Sequence, residues 1–170
     1  MSTKTLPILR IRTDRSMNTT IGQIMSKEIV SVKPEESLGS AALLMKEHSV
    51  GSLPIVDEEK RLKGIMTDRD IVIRCVAKRK NPEAVSAGEI MTNRIVYVSA
   101  EQPVSEAVSM MATEQIRRLP VLEDGKIVGM ISFADIARRD ASPEVAEAIS
   151  EISSEKLSDI EFVRPYEPHK

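Results

Sequence analysis

"GIMTDRDI", residues 64–71, and "GMISFADI", residues 129–136, are two versions of one pattern: glycine, two apolar residues, a hydroxyl residue, two variable positions, aspartate, isoleucine. In each, the apolar run breaks at a hydroxyl, Thr67 or Ser132, with a carboxylate three residues on at Asp70 or Asp135. That is the spacing of a capping box, in which the hydroxyl and the carboxylate satisfy backbone N–H groups at a helix start. A strand turning directly into a helix is the reading, and the chain makes that turn twice.

Outward from these segments the repetition continues. "IMSKEIVSVKPEESLGSAALLMKEHSVGSLPIVD" from Ile24 lies above "IMTNRIVYVSAEQPVSEAVSMMATEQIRRLPVLE" from Ile90 at a constant offset of 66 residues. Met25 meets Met91, Val32 meets Val98, Ala41 meets Ala107, Met45 meets Met111, and Leu53-Pro54 meets Leu119-Pro120. One residue is then dropped in a loop, after which Gly64 meets Gly129 and Asp70 meets Asp135. Apolar spacing, prolines and polar exceptions all repeat together, which marks an internal duplication.

Each copy reads alike. "EIVSV" and "RIVYV" are β-branched runs that predict a first strand. The apolar positions 38, 41, 42, 45 and 104, 107, 108, 111 then form the stripe of an amphipathic helix. "SLPIVD" and "RLPVLE" predict buried strands, joined by turns at 57–60 and 123–126 to "LKGIMT" and "IVGMIS" as antiparallel hairpins. A second helix is predicted over 68–78 and over 133–139. The unit is β-α-β-β-α, and the fold class is α/β of the α+β kind. Units this small sit near the lower limit of independent stability, so the two are expected to pack face to face with pseudo-twofold symmetry.

The organisation predicted along the chain is a flexible basic arm (1–19), the first repeat (20–80), a polar linker (81–88), the second repeat (89–141), a C-terminal helix (142–160) and a disordered tail (161–170). The helix reading rests on Ser142 as cap, Pro143 in the first turn, and Val145, Ala146, Ile149 and Ile152 on one stripe.

Composition removes several function classes. Against 24 basic residues stand 26 acidic ones, interspersed, so there is no electrostatic footprint for a nucleic acid. Aromatic residues make up 2% of the chain, too few for base-stacking platforms. With Cys75 alone, plus His48 and His169, neither a disulfide nor a zinc cluster is supplied. Cys75 reads as a buried structural thiol and His48 as a helix-end surface residue. No apolar run approaches the roughly 18 residues that span a bilayer, and the N-terminus lacks a signal-type segment. A cytoplasmic protein with no nucleic-acid partner and no membrane is the expectation.

Order and duplication of these motifs resemble the tandem cystathionine-β-synthase (CBS) domain pair, or Bateman module, over about residues 20–140. The carriers are "IM" before each first strand, "LP" ahead of each second strand, and the "GIMTDRDI" and "GMISFADI" segments. Segments of this kind are typical of small stand-alone bacterial members, including the hypoxic-response type, which carry no attached enzyme. The resemblance implies intertwined repeats with a cleft between them, adenosyl ligands such as AMP, ADP, ATP or S-adenosylmethionine, and modules that dimerise.

Two readings of Thr67-x-x-Asp70 and Ser132-x-x-Asp135 stand side by side. As caps they contribute about 1 kcal/mol each and need no ligand. As a site, the hydroxyl and the helix-start N–H groups hold a phosphate, while the aspartate accepts ribose hydroxyls. The resemblance assigns phosphate and ribose contacts to these four residues. It places the adenine edge against the strands near Ile29, Val30, Ile95, Val96, Leu53, Pro54, Leu119 and Pro120. Asp68 and Arg69 adjoin the first site, and Arg69, Arg117 and Arg118 could neutralise phosphate. "VGSLP" and "IRRLP" differ at Gly51-Ser52 against Arg117-Arg118, and Asp68-Arg69 stands against Phe133-Ala134, so unequal sites are expected, with at most one binding a polyphosphate tightly.

No phosphate-binding glycine loop, metal cluster or nucleophile with a neighbouring histidine is present in the sequence, so catalysis is not expected. The leading expectation is a regulatory adenine-nucleotide sensor acting, as an energy or stress sensor, on a separate protein and requiring no cofactor. The alternative is a ligand-independent dimeric interaction protein whose boxes are only caps.

Overall fold

The structure, a computed structural model, describes residues 19–139 and residue 150. The basic arm, the C-terminal helix and the tail expected from the sequence lie, but for residues 19 and 150, outside the described residues. In chain order the elements are α1 (Ile21–Ile24), α2 (Leu38–Glu47), β1 (Ser52–Val56), β2 (Leu62–Thr67), α3 (Asp68–Arg74), a 3-10 turn (Val76–Lys78), α4 (Ala87–Ile90), α5 (Val104–Glu114), β3 (Arg118–Glu123), β4 (Lys126–Ser132) and α6 (Phe133–Arg139).

The hairpins form as expected. β1 pairs with β2 and β3 with β4, both antiparallel, each with a register shift before the turn. In the second hairpin, Asp124 and Gly125 both take positive φ, 49° and 75°, which is what a two-residue turn matched to strand twist requires. In the first, Asp57 Oδ1 accepts from the amides of Glu59 and Arg61 and holds a longer turn closed. α2 starts at Ser37, whose hydroxyl accepts from Ser40 N–H, and buries Leu38, Ala41 and Met45. Ala42, expected on that stripe, is exposed.

Two further expectations need correction. The runs 28–32 and 94–98 are not strands. Each makes a single parallel bridge, Val32 to Ile55 and Val98 to Val121, through bonds such as Val32 N–H to Pro54 O at 3.2 Å and Val98 N–H to Pro120 O at 3.1 Å. The chain leaves the sheet one residue later, and Pro34, without an N–H, cannot extend the first ladder. The helix expected over 68–78 ends at Arg74. Cys75 is its cap, fully buried, and Arg79 closes the following 3-10 turn in the left-handed region at φ 54°.

The two cores are not built from consecutive sequence. α1, at the front of the first repeat, places Ile21 in a core with Val98, Val108, Met111, Leu119, Ile131 and Ile136 of the second. Conversely, α4 places Ala87 and Ile90, with Val85, in the core of Leu38, Leu53, Ile55, Met66 and Ile71. The exchange is reciprocal bond by bond. Ile21 N–H donates to Gln102 O at 2.9 Å and Ala87 N–H to Glu36 O at 2.8 Å, while Ser26 bridges Met130 as Thr92 bridges Ile65. Behind each bridge a methionine covers a glycine: a Cβ on Gly64 would lie 2.6 Å from Met91 Sδ, and one on Gly129 2.5 Å from Met25 Sδ. The stretch 81–88 is pinned too, since Pro82 O and Val85 O accept from Gly39 and Leu38.

Equivalent residues also touch each other, as they must on a twofold axis. Arg61 bridges Lys126 where the hairpin turns meet, and Arg118 Nη1 donates to Ser52 Oγ at 3.3 Å at the opposite ends of the strands.

Candidate functional site

β2 runs into α3, and β4 into α6, without a connecting residue. At the first junction Thr67 N–H and Thr67 Oγ1 donate to Asp70 Oδ2, at 2.9 and 2.7 Å, and Asp70 N–H donates back to Thr67 Oγ1 at 3.1 Å. At the second, Ser132 N–H and Oγ donate to Asp135 Oδ2, at 2.9 and 2.5 Å, and Asp135 N–H returns to Ser132 Oγ at 3.3 Å. Both capping boxes are complete. Each aspartate turns its second oxygen to an arginine of its own helix, Asp70 to Arg74 at 3.3 Å and Asp135 to Arg138 at 2.5 Å. Burial pushes the Asp135 carboxyl up, yet the bonds from Ser132 and Arg138 outweigh it and hold the group below its ordinary range.

The junctions lie beside the axis because of one further bond. Asp68 N–H donates to Gly51 O and Phe133 N–H to Arg117 O, both at 3.1 Å, so each helix start is tied to the residue ahead of β1 or β3. Gly51, Ser52, Asp68 and Arg118 thus converge. A Cβ on Gly51 would lie 3.3 Å from Asp68 Oδ2 and 3.4 Å from Arg118 Nη1. Arg69, Arg117 and Arg118 are exposed and, among the described residues, form no ion pair.

The start of α3 does not offer the free N–H groups that the sequence leads one to expect. In α3 the first three are taken: Asp68 by Gly51, Arg69 by the Asp68 carboxylate at 2.7 Å, and Asp70 by Thr67. Phe133 at the matching place in the second repeat is buried in the core and has no oxygen to offer Ala134.

Of the residues expected along an adenine edge, Leu53, Pro54, Leu119 and Pro120 are buried, and the carbonyls of Pro54 and Pro120 already accept from Val32 and Val98. Ile29, Val30, Ile95 and Val96 are half-buried and keep surface to offer. His48 caps α2 and is exposed. A shallow concavity of about 440 Å³ lies elsewhere, on α5, lined by Ser105, Glu106, Ser109, Met110, Thr113 and Glu114. Among the described residues no group of three or more His, Cys, Asp or Glu side chains could hold a metal, and no helix is long and apolar enough to cross a membrane.

Sequence reasoning missed the convergence on Gly51 and the self-capping by Asp68. The alignment carried the signal, since Gly51-Ser52 stood opposite Arg117-Arg118. It also missed α1 and α4, each announced by its own box, Thr20-x-x-Gln23 and Ser86-x-x-Glu89.

Comparison with known proteins agrees with this geometry. A family model for the CBS domain matches residues 21–76 and 87–142. Hypoxic response protein 1 of Mycobacterium tuberculosis is 38% identical over 136 residues, covering 80% of this chain and 95% of that protein. The CBS domain-containing protein YhcV of Bacillus subtilis is 34% identical over 134 residues, covering 78% and 94%. Among solved structures, Hypoxic Response Protein I with two coordinated zinc ions is similar at TM-score 0.66 and 40% identity, covering 72% of this chain and 99% of that one. The CBS domain pair of protein MJ0100, in complex with 5′-methylthioadenosine and S-adenosyl-L-methionine, is similar at TM-score 0.65 and 31% identity, covering 71% and 94%.

Proposed function

The chain belongs to the CBS-domain family, and from that premise we propose that it is a regulatory protein, not an enzyme, that takes an adenosine-containing ligand between its repeats. The observation that carries this is the pair of strand-to-helix junctions, Thr67 with Asp70 and Ser132 with Asp135, set beside one axis in a chain similar to the adenosyl-binding pair of MJ0100. AMP, ADP, ATP and S-adenosylmethionine are the candidate ligands.

In this reading Asp70 and Asp135 accept ribose hydroxyls, and Thr67 and Ser132 meet the 5′ group. Ile29, Val30, Ile95 and Val96 flank the base, with Leu53, Pro54, Leu119 and Pro120 as its backing, and Arg69, Arg117 and Arg118 neutralise charge. The repeats, 20–80 and 89–141 with the linker 81–88 between them, shift relative to one another. The ligand binds one arrangement better than another, and a partner protein senses the difference. The module works as a homodimer: Leu43 of α2, Val72 and Ile73 of α3, and Val76 are exposed apolar residues of the first repeat, and a second copy covers them. Sedimentation of a Leu43→Glu, Val72→Glu double variant should then give the monomer mass; an unchanged dimer would refute that surface.

A second reading has its own observation. The boxes and the first N–H groups of α3 are satisfied with no ligand, as a purely structural cap requires. Isothermal titration of stripped protein with the four ligands, alongside Asp70→Ala and Asp135→Ala, decides. Saturable binding lost in one folded variant supports the sensor. No heat at millimolar ligand, with both variants only less stable, supports the dimeric interaction protein.

A further inference from the structure

We infer that Asp68 is the specificity-determining residue of the Thr67–Asp70 junction, turning it away from 5′-phosphates and toward adenosyl ligands whose 5′ substituent is neutral or cationic. This rests on the adenosyl reading above and says what that site selects.

Three observations converge on it. Asp68 Oδ1 accepts from Arg69 N–H at 2.7 Å, so the donor that a phosphate would seek is held by a carboxylate of the protein. Gly51 has no side chain, and the space beside its Cα is flanked by Asp68 Oδ2 from one repeat and Arg118 Nη1 from the other. The guanidinium that a phosphate would recruit therefore stands across that space from an anion, beyond ion-pair distance, and donates to Ser52 Oγ. At the second junction Phe133 replaces Asp68, uncharged and buried, and Asp135 is the only carboxylate in the first turn of α6.

The charge argument is direct. A phosphate monoester brings close to two negative charges at neutral pH. At the first junction it meets Asp68 as well as Asp70, and like charges at such short range repel. A thioether brings no charge, and a sulfonium is attracted. The two junctions therefore sort ligands by the 5′ group: neutral or cationic at Thr67–Asp70, phosphorylated at Ser132–Asp135.

The test is a site-resolved titration of the ¹⁵N-labelled full chain with AMP and, separately, with 5′-methylthioadenosine, following amide shifts at 67–70 and 132–135. In the native protein 5′-methylthioadenosine should move 67–70 and AMP only 132–135. Asp68→Asn keeps the bond to Arg69 N–H without the charge, and Asp68→Ser is a second neutral cap should the first fold poorly. Either should let AMP reach 67–70 and raise its affinity there relative to 5′-methylthioadenosine by about tenfold. AMP moving 67–70 in the native protein, or a ratio unchanged in both folded variants, overturns the role of Asp68 and leaves the adenosyl site standing. Failure of both ligands to bind native and variant protein overturns the site itself, and this proposal with it.

Discussion

The strand-to-helix junctions of the two repeats share their backbone bonds and their capping boxes, and diverge at the first helical residue. Asp68 is exposed, caps its neighbour and stands across Gly51 from Arg118; Phe133 is buried in one core with Ile21 and Ile136. The outer helical faces diverge in the same sense, with Leu43 and Ile73 exposed in the first repeat where Ser109 and Arg138 stand in the second. The comparison teaches that packing constrains the positions that build the frame twice, while the positions beside the axis and on the outer face are free to become different chemistry.

The largest effects should come from the exchanged segments. Ile21→Ala and Ile90→Ala each remove a buried side chain and should cost about 2–5 kcal/mol in chemical denaturation. Hydrogen exchange sharpens the comparison: Ile21→Ala should loosen β3 and β4, and Ile90→Ala should loosen β1 and β2. The reverse pattern would break the exchanged assignment. Next come the covered glycines. Gly129→Val and Gly64→Val should destabilise by about 1–3 kcal/mol through overpacking, Gly129 the more, because the Ser26 carbonyl 3.0 Å from its would-be Cβ is backbone and cannot swing aside.

Loss of a cap is smaller. Asp135→Ala should cost about 1 kcal/mol at neutral pH. Since the folded state holds Asp135 below its ordinary carboxyl value, its contribution is full above about pH 4 and is lost as pH falls through the folded value. A thermal-unfolding profile of the variant should therefore converge on the native one in acid; a constant offset down to acid pH would contradict this. The smallest contrast is between the arginines. Arg74 also donates to Ile90 O at 2.5 Å, a bond into the exchanged α4, so Arg74→Ala should cost about 1 kcal/mol. Arg138→Ala breaks only a largely exposed pair and should cost at most about 0.5 kcal/mol in the same measurement.

Much of this frame was legible in the sequence, because period and punctuation carry it. The hairpins were announced by β-branched runs around turn residues, and α2 and α5 by stripes long enough to show a period. The runs ending at Val32 and Val98 misled because β-branched composition reports an extended, half-buried chain, and whether it gains a ladder depends on how long it stays beside β1 or β3. α1 and α4, at four residues each, are too short to have a period, and nothing in "IGQI" says which core Ile21 joins. At the candidate site the boxes were readable from spacing. The saturation of the α3 N–H groups was not, since it depends on Gly51 O and the Asp68 side chain folding back onto the same turn.

The reciprocal exchange of α1 and α4 bears on how the chain is made. A ribosome releases the N-terminus first, at about 5–20 residues per second. The first repeat can close its core as soon as Val85, Ala87 and Ile90 have emerged, and until then its hairpin waits unfinished. Ile21, Ile24 and Met25 wait far longer, for Ile131 and Ile136 near the far end of the described chain. During that interval the nascent protein displays a short apolar hook beside an otherwise finished half. The same hook would be left bare in any product that stops short of β4, which would then carry a ready contact for aggregation and an obvious mark for disposal.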